Sequence, residues 1–228
     1  MSNFDVFAKY YDYFYSSKDY SGEAAHLLSI IQSESPGATD VLNLGCGTGR
    51  HDFYLAEKGF HVTGVDASPQ MINAARKQLA QKSDIAKSVN FEHCDIREYK
   101  PLKKYGAVIS MFDVISYVTR TQDILKVFKM VSSFLTNEGV FIFDFWYGPG
   151  VLSDRPETRV KELMADNDKL VRIARPTIDF HANKVAINYQ LLVLSGNDQG
   201  QYDELHTMRY FFLPEMELMM SLAGMDID

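Results

Sequence analysis

A chain of 228 residues is long enough for one sizeable core, and its 46% hydrophobic and 23% charged residues exclude a disordered or fibrous protein. The formal net charge of -7 comes with no Lys or Arg cluster able to neutralise several phosphates, which argues against nucleic acid as substrate. No apolar run approaches the ~20 residues of a membrane span and the opening lacks a signal-peptide layout, so a cytoplasmic protein without a membrane partner is expected.

The chain opens on a tyrosine-rich segment, Phe4 to Tyr20, with Tyr10, Tyr11, Tyr13, Phe14, Tyr15 and Tyr20. Rings this close in sequence cannot all turn inward on one helix face. Part of the set either forms a lid over a ligand or packs as plain core at a sheet edge. Residues 1–37 are read as a helical lid. From residue 38 to 145, short β-branched runs alternate with amphipathic stretches, the pattern of βαβ units around a parallel sheet.

The expected strands are Asp40–Leu44, His61–Val65, Val89–Cys94, Ala107–Met111 and Val140–Phe145. Helices follow the first strand up to Gly59, start at Ser68-Pro69 and reach Lys82, and run from Thr121 to a stop at Gly139. Residues 146–212 change grammar to β-rich runs separated by turns at Asp166-Asn167-Asp168 and Ser195–Gln201, an antiparallel meander inserted after strand five. A last helix, Pro214 to Ala223, lies in the segment 213–228. The fold class is therefore α/β: one domain with a Rossmann-like parallel sheet flanked by helices and an inserted antiparallel meander.

Three elements carry chemistry. Gly45-Cys46-Gly47-Thr48-Gly49 follows the first strand and opens a helix, which lets the backbone approach a nucleotide-like cofactor; a merely tight turn is the plainer alternative. Asp66 closes the second strand, where a carboxylate accepts from both hydroxyls of a ribose, unless it only caps a turn. Asp95 stands just past the third strand, where an adenine amino group could donate to it. The first two elements also fit dinucleotide binders, but those space their glycines Gly-x-Gly-x-x-Gly, and this chain has Gly-x-Gly-x-Gly.

On these motifs, over about residues 38 to 145, the chain resembles the class I methyltransferases that use S-adenosylmethionine. The resemblance implies that Gly45, Cys46, Gly47 and Gly49 line the methionyl part of the cofactor and that Asp66 holds the ribose. Ala67 and Met71 would flank the adenine, Asp95 and Ile96 would meet it from the other side, and Met111 with Phe112 would lie beside the sulfonium. Tyr20 joins this cofactor-binding set. The family usually carries an acid two residues before the first glycine; this chain has Asn43 there.

A narrower resemblance, to N-methyltransferases of nucleotide-linked deoxysugars, rests on three segments. They are the tyrosine-rich opening, Met111 to Tyr117, and Phe145-Trp146-Tyr147. It implies a small-molecule amine acceptor such as an amino sugar, with O-methylation or a non-catalytic cofactor-binding module as alternatives. Tyr11, Asp113 and Tyr117 are candidates to receive the amine proton, and Tyr11 and Tyr117 form the catalytic expectation. Each could instead be structural: a lid aromatic, a helix cap and a core ring. Trp146 is expected to wall a pocket. The inserted strands are expected to build either the acceptor pocket or a homodimer surface. The scattered histidines and the two cysteines, Cys46 and Cys94, give no metal-binding pattern.

Overall fold

The computed structural model describes residues 3–195 and 198–227. They divide into two compact units. One comprises Asp19–Ile115, Arg120–Phe145 and the chain from Pro214; the other comprises the N-terminal stretch through Lys18, Ser116–Thr119 and Trp146–Leu213.

The first unit is built on a five-stranded parallel sheet of β1 (Asp40–Leu44), β2 (His61–Asp66), β3 (Val89–His93), β4 (Tyr105–Ser110) and β5 (Leu135–Phe143), in the order β3-β2-β1-β4-β5. β1 and β4 are central and buried on both faces, which explains their nearly continuous apolar runs. The order reverses between β1 and β4, so the carboxyl ends of these strands form the switch point where open α/β sheets bind ligands.

The helices of this unit are α2 (Tyr20–Glu34), α3 (Arg50–Glu57), α4 (Pro69–Leu79) and α5 (Thr121–Phe134). Their starts follow local chemistry. Asp19 caps α2 by accepting from Gly22 N at 2.9 Å, and Ser68 Oγ accepts from Met71 N at 3.2 Å with Pro69 at the first position of α4. One core gathers Leu27 and Ile31 of α2, Phe53 and Leu55 of α3, Ile72 of α4 and Val41, Val62 and Ile109 of the sheet.

Several boundaries differ from the sequence expectation, among them the ends of two helices. The helix that starts at Ser68-Pro69 ends at Leu79, and residues 80 to 82 continue only as turns, with Ala80 N bonded to Arg76 O and Lys82 N to Leu79 O. Gly139 does not end α5; the helix stops at Phe134, and Leu135 turns extended (φ -71, ψ 147) to open β5. Leu135 pairs with Tyr105 across a register irregularity before Ala107, so a strand partner overrides the turn chemistry of Asn137-Glu138-Gly139.

The second unit holds a four-stranded antiparallel sheet, β6 (Arg159–Ala165), β7 (Asp168–Asp179), β8 (Lys184–Ser195) and β9 (Asp198–Arg209), paired in chain order. The expected meander thus has four strands. Residues 196 and 197, within the turn expected at Ser195–Gln201, lie outside the described residues. Helix α1 (Asn3–Phe14) sets Val6, Tyr10 and Phe14 against Leu170, Leu191 and Val193 of this sheet. Tyr10 Oη donates to Asp168 Oδ2 at 2.6 Å, and Tyr13 Oη to Asp166 Oδ2 at 2.8 Å. Farther along, Val185, Ile187, Met208 and Tyr210 pack with Trp146 and with Val151 and Leu152 of α6 (Gly148–Ser153). Helix α7 (Leu213–Leu222), which from Pro214 on belongs to the first unit, begins one residue before the Pro214 start that the sequence suggests.

Candidate cofactor and acceptor sites

After β1 the chain turns through Gly45 (φ 78), Gly47 (φ 56) and Gly49 (φ 80), all left-handed, and Gly49 caps the start of α3. The three glycines are needed for different reasons. A Cβ on Gly45 would run into Val114, and one on Gly49 into the Phe91 ring, so both permit close packing. A Cβ on Gly47 would meet no atom within 4 Å. Gly47 alone of the three borders open space.

Asp66, at the end of β2, faces the same loop. Its Oδ2 accepts from Gly47 N at 2.9 Å and its Oδ1 from Ser68 N at 2.8 Å. Each oxygen keeps a lone pair, which is what two ribose hydroxyls require. Burial raises the carboxyl pKa despite the two donated hydrogen bonds. Ala67 is tied to the end of β3 through its carbonyl, 3.0 Å from His93 Nε2, and Met71 stands one turn into α4. Ile96 is buried.

Asp95 has a partner that sequence reasoning did not weigh. Arg97 grips its carboxylate through Nε (2.9 Å to Oδ1) and Nη2 (2.5 Å to Oδ2), and the Arg97 backbone N–H adds a bond of 2.8 Å. The Arg97 side chain holds the Asp95 pKa below the usual range. The signal was local, an Arg two residues after the acid.

Asn43 lies buried on β1, where its Nδ2 donates to Asp52 Oδ2 of α3 at 3.0 Å. Asp52 is 0% exposed, and burial pushes its carboxyl up to about 7. Asp52 Oδ1 and Asn43 Oδ1 find no hydrogen-bond partner among the described residues. The chain therefore carries a buried acid beside the loop, supplied by the helix in place of the strand. Cys46 is a buried thiol in the loop, and burial raises its pKa well above the ordinary value. Tyr20 is buried at the start of α2, with its ring 5.2 Å from His51 and Arg50 lying over it at 5.3 Å.

At the end of β4, Phe112 (φ 69) and Asp113 (φ 62) adopt left-handed backbone that side chains rarely tolerate. Asp144, just past β5, holds them there: its Oδ2 accepts from Phe112 N at 2.9 Å and its Oδ1 from Asp113 N at 2.6 Å. Sequence reasoning missed Asp144. Its signal was an acid at the carboxyl end of a central-sheet strand, beside the switch point.

The two expected catalytic tyrosines belong to the antiparallel unit, and a chain of contacts connects them. Tyr11 lies 4.7 Å from Tyr15; Arg172 lies over Tyr15 at 5.4 Å and over Tyr189 at 5.3 Å; Tyr189 meets His206 at 4.9 Å; and Tyr117 Oη is 2.7 Å from His206 Nδ1. Arg172 also covers Phe14 at 4.6 Å and donates to Tyr15 Oη at 3.2 Å. Beside Tyr117 in the chain, Ser116 Oγ accepts from Trp146 N at 2.9 Å. Among the described residues no group of His, Cys, Asp and Glu is arranged to hold a metal ion, and no helix is long and apolar enough to cross a membrane.

A parallel sheet in this order, with the glycine loop after its first strand and an acid closing the second, is the Rossmann-like frame that binds a nucleotide-like cofactor at the carboxyl ends of its strands. Residues 41–139 match the family model described as a methyltransferase domain. The chain is similar over 97% of its length to the dTDP-3-amino-3,4,6-trideoxy-alpha-D-glucopyranose N,N-dimethyltransferase of Streptomyces venezuelae, at 23% identity and 90% coverage of that protein. Its fold matches the crystal structure of DesVI from the same organism with a TM-score of 0.81 (24% identity, 95% of this chain and 89% of that one). The sugar N-methyltransferase KedS8 from Streptoalloteichus matches with a TM-score of 0.83 (21% identity, 96% and 85%). Residues 41–139 thus match a methyltransferase domain, and the chain as a whole is similar to proteins named as amino-sugar N,N-dimethyltransferases.

Proposed function

We propose that the chain methylates an amine on a small polar molecule, with a nucleotide-linked amino sugar as first choice. The observation that carries this reading is the run of rings from Tyr11 to Tyr117 through Tyr15, Arg172, Tyr189 and His206. Flat apolar faces suit a deoxysugar or a base, tyrosine hydroxyls meet an amine, and Arg172 supplies positive charge for a diphosphate. The Streptomyces venezuelae relative carries the name of an N,N-dimethyltransferase of an amino sugar nucleotide, which supports the same acceptor class.

S-adenosylmethionine, when bound, supplies a methyl group activated by a positive sulfur, so the protein's task is mainly to position and to manage one proton. We assign the methionyl part to Gly45, Cys46, Gly47 and Gly49 with Tyr20, the ribose to Asp66, the adenine to Ala67, Met71, Asp95 and Ile96, and the neighbourhood of the sulfur to Met111. Asp95 serves the adenine only by sharing its carboxylate with Arg97. Tyr11 and Tyr117 face the acceptor amine. The acceptor is free in the cytoplasm, without nucleic acid or membrane; a homodimer surface is the competing role for the inserted strands.

Incubation with methyl-labelled cofactor and a panel of nucleotide-linked amino sugars, glycine-like amines and catechols tests the reading. Label on an amine nitrogen is the expected result. Transfer to oxygen alone would overturn the amine assignment and leave the methyltransferase standing.

A further inference from the structure

We infer that His206 and Glu204 of β9 act through Tyr117 as a proton relay that draws the proton from the acceptor amine; this rests on the amine reading above. Tyr117 is 47% exposed, and its hydroxyl sits 2.7 Å from His206 Nδ1. On the far side of the imidazole, His206 Nε2 lies 3.1 Å from Glu204 Oε1, a charge contact whose angle falls outside hydrogen-bond limits. The period of two along β9 puts Glu204 and His206 on one face.

Burial sets Glu204 directly against the imidazole. Its side chain is 8% exposed, and among the described residues His206 is the group within ion-pair distance. A buried carboxylate without a cation is costly, and the imidazole is the group set against this one. The remaining groups around the imidazole are Tyr117 and Tyr189, with Arg172 behind the Tyr189 ring at 5.3 Å. Burial raises the Tyr189 hydroxyl, so that ring stays neutral. The relay requires the tautomer in which Nδ1 accepts from Tyr117 Oη and Nε2, on the Glu204 side of the ring, carries the hydrogen.

The proton balance closes. An ammonium acceptor gives one proton to Tyr117 Oη as Tyr117 passes its own proton to His206 Nδ1, which leaves a neutral amine, an unchanged tyrosine and an imidazolium opposite Glu204. The amine lone pair then forms the N–C bond while the C–S bonding pair stays on sulfur. His206 afterwards returns its proton to solvent. Tyr117 touches the amine; His206 and Glu204 are positioning residues behind it.

The test is the pH profile of kcat/KM for a thymidine diphosphate-linked 3-amino-deoxysugar, measured on wild type, His206→Gln and Glu204→Gln, with calorimetric titration of S-adenosylhomocysteine as the folding control. Expected for His206→Gln are unchanged cofactor affinity, a loss of about 10²-fold near neutral pH, and recovery toward wild type above about pH 9, where the amine is neutral on its own. Glu204→Gln should lose roughly tenfold and move the acid limb in the same direction. An unmoved acid limb in both variants, or an equal loss at every pH, overturns the relay while the amine reading stands. A wild type that leaves the amine unmethylated overturns the amine reading and the relay with it.

Discussion

Asp52 offers a sharp test of the energetics beside the glycine loop. It is 0% exposed, accepts from Asn43 Nδ2, and burial lifts its carboxyl from 3.8 to about 7. Because the folded pKa lies above the unfolded one, the folded chain binds this proton more tightly. The stability it contributes is complete below the unfolded pKa and is lost as pH climbs through about 7. At 1.36 kcal/mol per pKa unit the whole window amounts to about 4 kcal/mol. Roughly 2.5 kcal/mol of it falls between about pH 5 and pH 8, since the unfolded carboxyl is already mostly ionised at pH 5. Asp52→Asn removes the titration and keeps the shape. Urea unfolding across this range should show the variant gaining about 2.5 kcal/mol on wild type from the acid end to the alkaline end. Parallel curves would mean that Asp52 does not hold a proton in the folded chain, and the reasoning from burial would fail.

Asp66→Ala should weaken S-adenosylhomocysteine binding by about 2 to 4 kcal/mol in calorimetric titration, with Asp66→Asn losing less because an amide oxygen can still accept from Gly47 or Ser68. An unchanged dissociation constant would remove Asp66 from the ribose site. Gly47→Val should abolish cofactor binding and cost stability through its left-handed backbone (φ 56), yet unfold cooperatively, since an added Cβ meets no protein atom within 4 Å; a chain that cannot fold would make this glycine structural. Asp144→Ala frees two left-handed residues and should cost roughly 2 to 4 kcal/mol of stability, read from the urea midpoint, while an unmoved midpoint would show that Asp144 clamps nothing.

Local periodicity made the cofactor half legible. The apolar run of β1, the alternating glycines and the acid closing β2 are all short-range signals, and each lies where the pattern put it. Boundaries were legible only where the local signal had no long-range competitor. Ser68-Pro69 starts α4 as expected, whereas Gly139 loses its stop to the pairing of Leu135 with Tyr105. The arrangement around Tyr11 and Tyr117 was hidden because it is made of contacts between distant residues: Tyr117 and His206 are 89 positions apart, and Tyr15 and Arg172 are 157. Asp144 was hidden differently, since it binds backbone N–H groups that no side-chain pattern announces. Asn43 was readable as a departure from the family, but its pairing with Asp52 needed the helix in place.

The dependence of α1 on strands near the other end of the chain also matters while the protein is being made. Val6, Tyr10 and Phe14 are covered by Leu170, Leu191 and Val193, and Tyr10 finds its carboxylate 158 residues later. At synthesis rates of about 5 to 20 residues per second, that helix waits roughly 8 to 30 s with its apolar stripe uncovered, whereas the parallel sheet completes its last pairing as soon as β5 emerges. A segment made before the parallel sheet is thus buried only after it. A nascent chain halted near residue 145 would already hold the glycine loop and every strand of the parallel sheet, and would still present the tyrosine-rich segment to chaperones and proteases.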